Sequence, residues 1–208
     1  WDELALTRAM ELKEAGGVDS ITVANVGAQI TEPTLRKALA VGADDAIRID
    51  TTAKDAFYVA SQLASIAKEY DLILSGIEAS DYNGNAVGGM LAELLDFNSV
   101  SAVSGINIDG DKFIINREID GGSQKLSVSG PLVAIVQKGI AKEPRIPAMR
   151  GIMMARKKPL KVVAAVDAGE KTSFVNFELP PPKAACKMVD EENAKELITL
   201  LHEEAKVL

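Results

Sequence analysis

The chain has 208 residues, 47% of them apolar and 25% charged; that length buries roughly 70% of the unfolded surface, the composition excludes a disordered chain, and no apolar run approaches the ~20 residues that cross a bilayer. A net charge of −7 argues against general attraction to nucleic acid or to an anionic membrane, so any basic patch must be local. A single cysteine, Cys186, and a single histidine, His202 in a terminal helical pattern, remove disulfide frameworks, multi-cysteine metal sites, zinc centres and Ser-His-Asp chemistry, and point to a reducing compartment.

Trp1, Leu4, Ala5, Ala9 and Leu12 recur at helical spacing with Glu3, Thr7, Arg8 and Glu11 opposite them, which predicts an amphipathic helix over residues 2–15, ended by Gly16 and Gly17. The chain starts at Trp1, without methionine and already inside this pattern, and so reads as a fragment; no signal or transit sequence is visible. SITVANVG, residues 20–27, is an apolar, β-branched run with the character of a buried strand. Thr31 is placed to cap a helix with Pro33 in its first turn and Gly42 at its end. DAIRID at 45–50 is a short strand, residues 53–68 a helix with wide apolar faces, DLILSG at 71–76 a third buried strand, and residues 85–95 a further helix. Strands alternating with helices predict a parallel sheet wrapped on both faces.

From Ser99 the pattern changes to period two, with Asp109-Gly110 and Gly121-Gly122 as turns, so antiparallel hairpins are expected to extend or cover one edge of that sheet. Residues 167–182 look irregular, with FVNFEL a candidate lone strand and Pro180, Pro181 and Pro182 a stiff linker. Asp190 is placed to cap a last helix striped by Ala194, Leu197, Ile198 and Leu201. The expected fold class is α/β: a Rossmann-like parallel sheet with helices on both faces, an antiparallel hairpin extension, and a C-terminal arm ending in a helix. The main domain covers residues 1–160 and the arm residues 161–208.

Ligands of an open parallel sheet bind beyond the carboxyl ends of its strands, which singles out the loop after the third strand. GIEASDYNGNAVGGM, residues 76–90, has glycines at 76, 84, 88 and 89 ahead of a helix whose first N–H groups can hold phosphate, and Asp81 and Asn85 offer hydrogen bonds to a ribose or base. The alternative is a glycine-relaxed turn with Asn83 or Asn85 as helix cap. No Walker lysine is present, the spacing is not GxGxxG, and no serine or threonine follows the glycines as nucleotide hydrolysis on such a sheet requires. A tightly held, chemically idle nucleotide fits better than a consumed one. EPRIPAMRGIMMARKKPL, residues 143–160, gathers five basic residues, three methionines and three prolines; by composition it is a solvated basic loop or an anionic-ligand patch.

Together, WDELA at the start, the loop at 76–88, REIDGG at 117–122, and EPR at 143–145 followed by GIMMARKKPL at 151–160 resemble the beta-subunit family of electron-transferring flavoprotein, in order and spacing over essentially the whole chain. The resemblance implies a central parallel sheet, pairing with an alpha subunit, and electron carriage from flavin dehydrogenases to a downstream acceptor, without bond-making chemistry of its own. It implies FAD held mainly by the alpha subunit and a structural AMP in this subunit, or a second FAD in an electron-bifurcating form; Asn85 resembles the AMP-holding form more. Family members carry one further strand before the helix that starts here at Trp1, near the middle of the sheet and lining the nucleotide site.

Carried over by position, the nucleotide-binding residues are Trp1, Asp2, Asn25, Val26, Gly76, Ala79, Asp81, Gly84, Asn85, Ala86, Val87 and Gly88. The loop departs from the family at Val87, where threonine is frequent, and at Tyr82 and Asn83, where acidic residues are common, which leaves phosphate contacts to backbone groups. Glu118, in REIDGG, falls near the alpha subunit's flavin domain, where a carboxylate beside a flavin-contacting arginine tunes the flavin potential. Residues 139–151 correspond to a loop that anchors partner dehydrogenases. Met149 is the apolar side chain offered to a partner pocket, Arg145, Arg150 and Ile152 are further docking residues, and Arg156-Lys157-Lys158 adds cationic steering of acidic surfaces. Residues 161–208 are then an arm and helix packing on the alpha subunit. The implied location is cytoplasmic: the bacterial cytosol, or the mitochondrial matrix in a eukaryote. The competing function is a stand-alone adenine-nucleotide-binding protein, of stress type or ATP-hydrolysing.

Overall fold

Helix α1 (Asp2–Glu14) buries Ala5, Thr7 and Leu12, and Gly16, at φ 76°, turns the chain out of it. In the computed structural model, which describes residues 1–79, 82–183 and 185–208, β1 (Thr22–Val26), α2 (Glu32–Val41), β2 (Asp45–Asp50), α3 (Ala56–Ala67), β3 (Leu72–Gly76) and α4 (Val87–Leu95) continue the alternation. Then come β4 (Asn98–Asp109), β5 (Lys112–Ile119), β6 (Gly122–Ser129), β7 (Leu132–Val136), α5 (Met149–Ala155) and β8 (Leu160–Ala164). Contacts divide the chain into two units, Trp1–Ser173 and Phe174–Leu208.

The strands form two sheets. One is all parallel, in the order β1-β2-β8; the other runs β3-β7-β4-β5-β6, parallel across β3, β7 and β4 and antiparallel across β4, β5 and β6. The hairpins thus extend one edge, as expected, with Gly110 (φ 60°) and Gly121 (φ 83°) supplying the left-handed turn residues. LVAIV of β7 is buried at all five positions because it lies between β3 and β4 with helices above and below, which explains its uninterrupted apolar run.

Apolar side chains pack on both faces. Leu12, Val103, Ile106, Ile115, Leu132 and Val136 lie between α1 and the larger sheet; Leu35, Leu39, Ala40, Ala46 and Ala155 join α2 and α5 to the smaller one. On the opposite face Ala60, Leu91 and Leu95 bring α3 against α4, and Ala92, Val133 and Ile135 seat α4 on β7.

Several local expectations are corrected. Thr31 does not cap α2 with its side chain: Gln29–Thr31 is a 3₁₀ turn and the Thr31 hydroxyl donates to the Ala28 carbonyl (2.9 Å). β8 is absent from the expected elements because it follows Pro159 and is mostly exposed; pairing with β2 is what makes it a strand. The first compact unit runs to Ser173. Beyond β8, the fully buried Gln62 binds both backbone groups of Val166 (2.8 Å each) and Asp55 accepts the amides of Lys171 (2.6 Å) and Thr172 (2.8 Å), which ties the chain down to Ser173.

In the second unit, FVNFEL is not a strand; Phe174 and Phe177 stack with ring centroids 5.1 Å apart. Its helix, α6 (Ala194–Thr199), continues as a π turn over Leu200–Glu204 and so holds the expected stripe, but it starts after Asn193, and the Asp190 carboxylate accepts the Glu192 amide instead (2.9 Å).

Candidate functional site

Among the described residues, the facing edges of β1 and β3 are unpaired. Between them lies a cavity of about 370 Å³ lined by Val23, Ala24 and Asn25 on one side, Leu72 and Leu74 on the other, and residues of α1 that include Asp2. From β1 the chain moves outward to β2, and from β3 it moves outward through α4 to β4, with β7 later inserted between them, so it leaves this gap in opposite directions; ligands of open α/β sheets bind beyond the carboxyl ends of strands at such a point.

At that end of β3, the Gly76 N–H donates to Asp2 Oδ1 (2.8 Å). A Cβ on Gly76 would stand 2.7 Å from the Cβ of Trp1 and 2.9 Å from Asp2 Oδ1, so only glycine lets α1 begin so close to the strand. Trp1 and Asp2 are thus brought to the loop that starts at Gly76. Beyond it the Ala79 carbonyl accepts the N–H groups of Tyr82 (3.2 Å) and Asn83 (2.7 Å). Asp81 lies outside the described residues. Asn83 and Asn85, at φ 54° and 43°, occupy the left-handed region that asparagine tolerates, and flank the exposed Gly84.

Neither asparagine caps α4. Its N-cap is Ala86, which makes no side-chain cap bond, so the first-turn N–H groups at Val87 and Gly88 have no side-chain acceptor there. Gly88 is pressed onto the sheet: a Cβ on it would meet Ile135 Cγ1 and Ser75 Oγ at 2.7 Å. At the end of β1, Val26 is buried, and Asn25 Oδ1 is buried without a hydrogen-bond partner among the described residues, as is Ser75 Oγ. Of the two residues only Asn25 lines the cavity, while Ser75 Oγ lies under Gly88 at the start of α4; a buried polar atom without a partner at a strand's carboxyl end suits a ligand with hydrogen-bonding groups.

Two residues here escape a reading of the sequence, Ser75 and Arg48. Arg48 is 4% exposed in the middle of β2; its Nη1 donates to the Gly27 carbonyl (2.8 Å) and to Asp50 Oδ1 (2.5 Å), and its Nε to Glu32 Oε1 (3.2 Å). The bond to Asp50 raises its pKa, so the guanidinium stays charged. The available signal was a charge on the inward face of DAIRID, in alternation with the buried Ala46.

Glu118 stands apart on β5. Its carboxylate accepts the Ser104 hydroxyl (2.7 Å) and is otherwise exposed. Ser104 lies within irregular pairing of β4, whose register shifts between Val100 and Val103 and again between Val103 and Gly105, with Ala102 at φ 56°. Such bulges redirect side chains.

The residues expected to dock a partner lie elsewhere, around α5. Met149, 74% exposed, begins α5 and turns outward, with Ile146, 91% exposed, and Ile152 and Met153 nearby in the chain. The segment is nonetheless fastened. Arg145 forks onto Glu14 (2.6 Å to each oxygen) and its backbone N–H donates to Thr7 Oγ1 (3.0 Å). The hydrogen bond from Arg145 holds the Glu14 carboxyl below its ordinary pKa. Lys158 Nζ donates to the carbonyls of Leu39 (3.1 Å), Gly42 (3.1 Å) and Ala43 (2.5 Å) at the end of α2, while Arg36 Nη1 reciprocates onto those of Ala155 and Lys158 (2.8 Å each) after α5. Arg145 and Lys158 thus bond groups of their own chain, Arg145 at the surface with its side chain 33% exposed. Arg150, Arg156 and Lys157 form no ion pair among the described residues.

Comparison with known proteins matches residues 1–168 to a family model described as "Electron transfer flavoprotein domain". The chain is 37% identical to the electron transfer flavoprotein subunit beta of Bacillus subtilis, over all of this chain and 86% of that protein. It is 38% identical to the subunit beta of Syntrophomonas wolfei, over 92% of this chain and 77% of the relative, and 34% identical to that of Sus scrofa, over 99% and 84%.

Proposed function

The chain belongs to the electron transfer flavoprotein family, alongside its beta subunits, and from that premise we propose that it pairs with an alpha subunit to carry electrons from flavin dehydrogenases to a downstream acceptor, holding a structural AMP beyond the carboxyl ends of β1 and β3. The observation that carries the nucleotide reading is one cavity lined by both Asn25, whose buried Oδ1 has no hydrogen-bond partner among the described residues, and Asp2, which holds the Gly76 N–H. Asn25 Oδ1 is an acceptor for an amino or hydroxyl group, and the uncapped N–H groups of α4 are donors for phosphate oxygens. The loop over 76–90 contains no lysine or arginine, so a monophosphate suits it better than the pyrophosphate of a second FAD.

In this reading FAD is held mainly by the alpha subunit, where it supplies electron storage; this chain contributes the nucleotide-braced scaffold, the Glu118 carboxylate toward the flavin domain, and the docking surface around Met149. Pro144 and Pro147 restrict that loop before it docks, and a flexible methionine fits pockets of different shape. The arm after Ser173, with Phe174, Val175, Phe177 and Leu179 exposed, is assigned to the alpha subunit, and the complex to the cytoplasm or mitochondrial matrix. Among the described residues no helix is long and apolar enough to cross a membrane.

The test is to co-purify the chain with its alpha subunit, denature the complex and chromatograph the released nucleotides. One FAD with one AMP supports the reading, two FAD makes the protein a bifurcating form, and a colourless homodimer rejects it.

A further inference from the structure

We propose that Arg48 is the positioning residue of the nucleotide site: from β2 it holds the turn at Gly27 in the shape that presents Asn25 to the ligand. The inference rests on the nucleotide reading above. Arg48 and Asn25 are cross-strand neighbours in parallel register, so their side chains leave the sheet on the same face. The Arg48 guanidinium grips the Gly27 carbonyl at 2.8 Å, and the Gly27 N–H is fixed on the Ile49 carbonyl at 3.0 Å. Gly27 in turn lies against Asn25: a Cβ on it would stand 2.7 Å from Asn25 Oδ1 and 2.7 Å from Thr31 Cγ2. Any drift of Gly27 therefore moves the wall beside the unpartnered oxygen.

The arrangement also says what Arg48 does not do. Two carboxylates, Glu32 and Asp50, face its single positive charge, and its side chain is 5% exposed, so it offers no net attraction to a phosphate. Its role depends on geometry. One planar fork spans the end of β1, the end of β2 and the first turn of α2, which the compact ammonium of lysine cannot do with a single set of bonds.

The test uses the complete heterodimer, stripped of nucleotide and titrated with AMP. A wild-type complex that binds no AMP removes the nucleotide reading, and this inference with it. If wild type binds, Arg48→Met is expected to weaken AMP roughly 10-fold and Arg48→Lys about 3-fold, the cost of losing or loosening a charge-assisted hydrogen bond. Glu32→Gln, which keeps the Gly27 contact, stays within about 2-fold if geometry rather than charge is what matters. Melting temperatures of the nucleotide-free complexes are measured alongside. Wild-type AMP affinity in the arginine variants, whatever their melting temperatures, makes Arg48 a core ion pair only and overturns the inference. If Arg48→Met does not assemble, Arg48→Lys decides alone by the same criterion.

Discussion

Gly151→Ala is the perturbation whose sign separates packing from helix propensity. Gly151 sits inside α5, where alanine is intrinsically better by about 1 kcal/mol. A Cβ built there, however, falls on the Ala40 carbonyl oxygen of α2, with the carbonyl carbon at 3.4 Å. The obstacle is backbone and cannot rotate away, so α5 must withdraw by about 1 Å to restore ordinary contact. Overpacking of this kind costs roughly 1–3 kcal/mol. Withdrawal also stretches the reciprocal bonds of Arg36 and Lys158, each a charged-donor bond contributing about 1.5–3 kcal/mol when well made. Against the propensity gain, the net is a destabilisation of about 2 kcal/mol, or roughly 4–8 °C in melting temperature for a unit of this size. Hydrogen exchange should quicken in α5 and at the end of α2 and stay unchanged in β4–β7. A variant that melts at or above wild type, with α5 exchange unaltered, refutes the packing argument.

The remaining predictions concern partner contacts and pH. Met149→Ala removes an outward side chain, so melting should shift by less than about 0.5 kcal/mol while reduction by the partner dehydrogenase slows about 10-fold with flavin content intact; unaltered kinetics count against the anchor. Glu118→Gln should change the flavin potential and the transfer rates, and an unchanged potential and rate would sink the proposed role of that carboxylate. Because Arg145 depresses the folded pKa of Glu14, their pairing is fully present above the ordinary glutamate value of about 4.3 and is lost as pH falls through the depressed one. The protection of residues 143–148, taken relative to the intrinsic exchange rate at each pH, should therefore fall in acid, and Glu14→Gln should show that loosened loop at neutral pH; identical exchange in the variant and wild type at neutral pH contradicts this.

Much of the fold is legible in the sequence because it is local. DAIRID is a strand at its predicted bounds, and Asp109-Gly110 and Gly121-Gly122 mark their hairpins, since alternation and left-handed glycines act over a few residues. The failures have two sources: partners that lie far along the chain, and side chains that bond nearby backbone instead of a helix end. β8 is a strand through β2, Gln62 draws residues beyond Leu160 into the first unit, and Thr31 and Asp190 spend their side chains on neighbouring backbone rather than on helix caps.

The candidate site divides along the same line. Residue types and order identify the glycine loop, the REIDGG block and the basic segment at 143–160, and with them the family, because those patterns are carried by consecutive residues. Only the tertiary structure brings Asp2 to Gly76, opens the gap between β1 and β3 beside Asn25, whose Oδ1 has no partner among the described residues, and bonds Arg145 and Lys158 to groups of their own chain while leaving Met149 exposed. The reason is physical: a cation's type shows that it can bind, but which acceptor it binds is decided by the carbonyls and carboxylates that folding places within 3 Å or so of it.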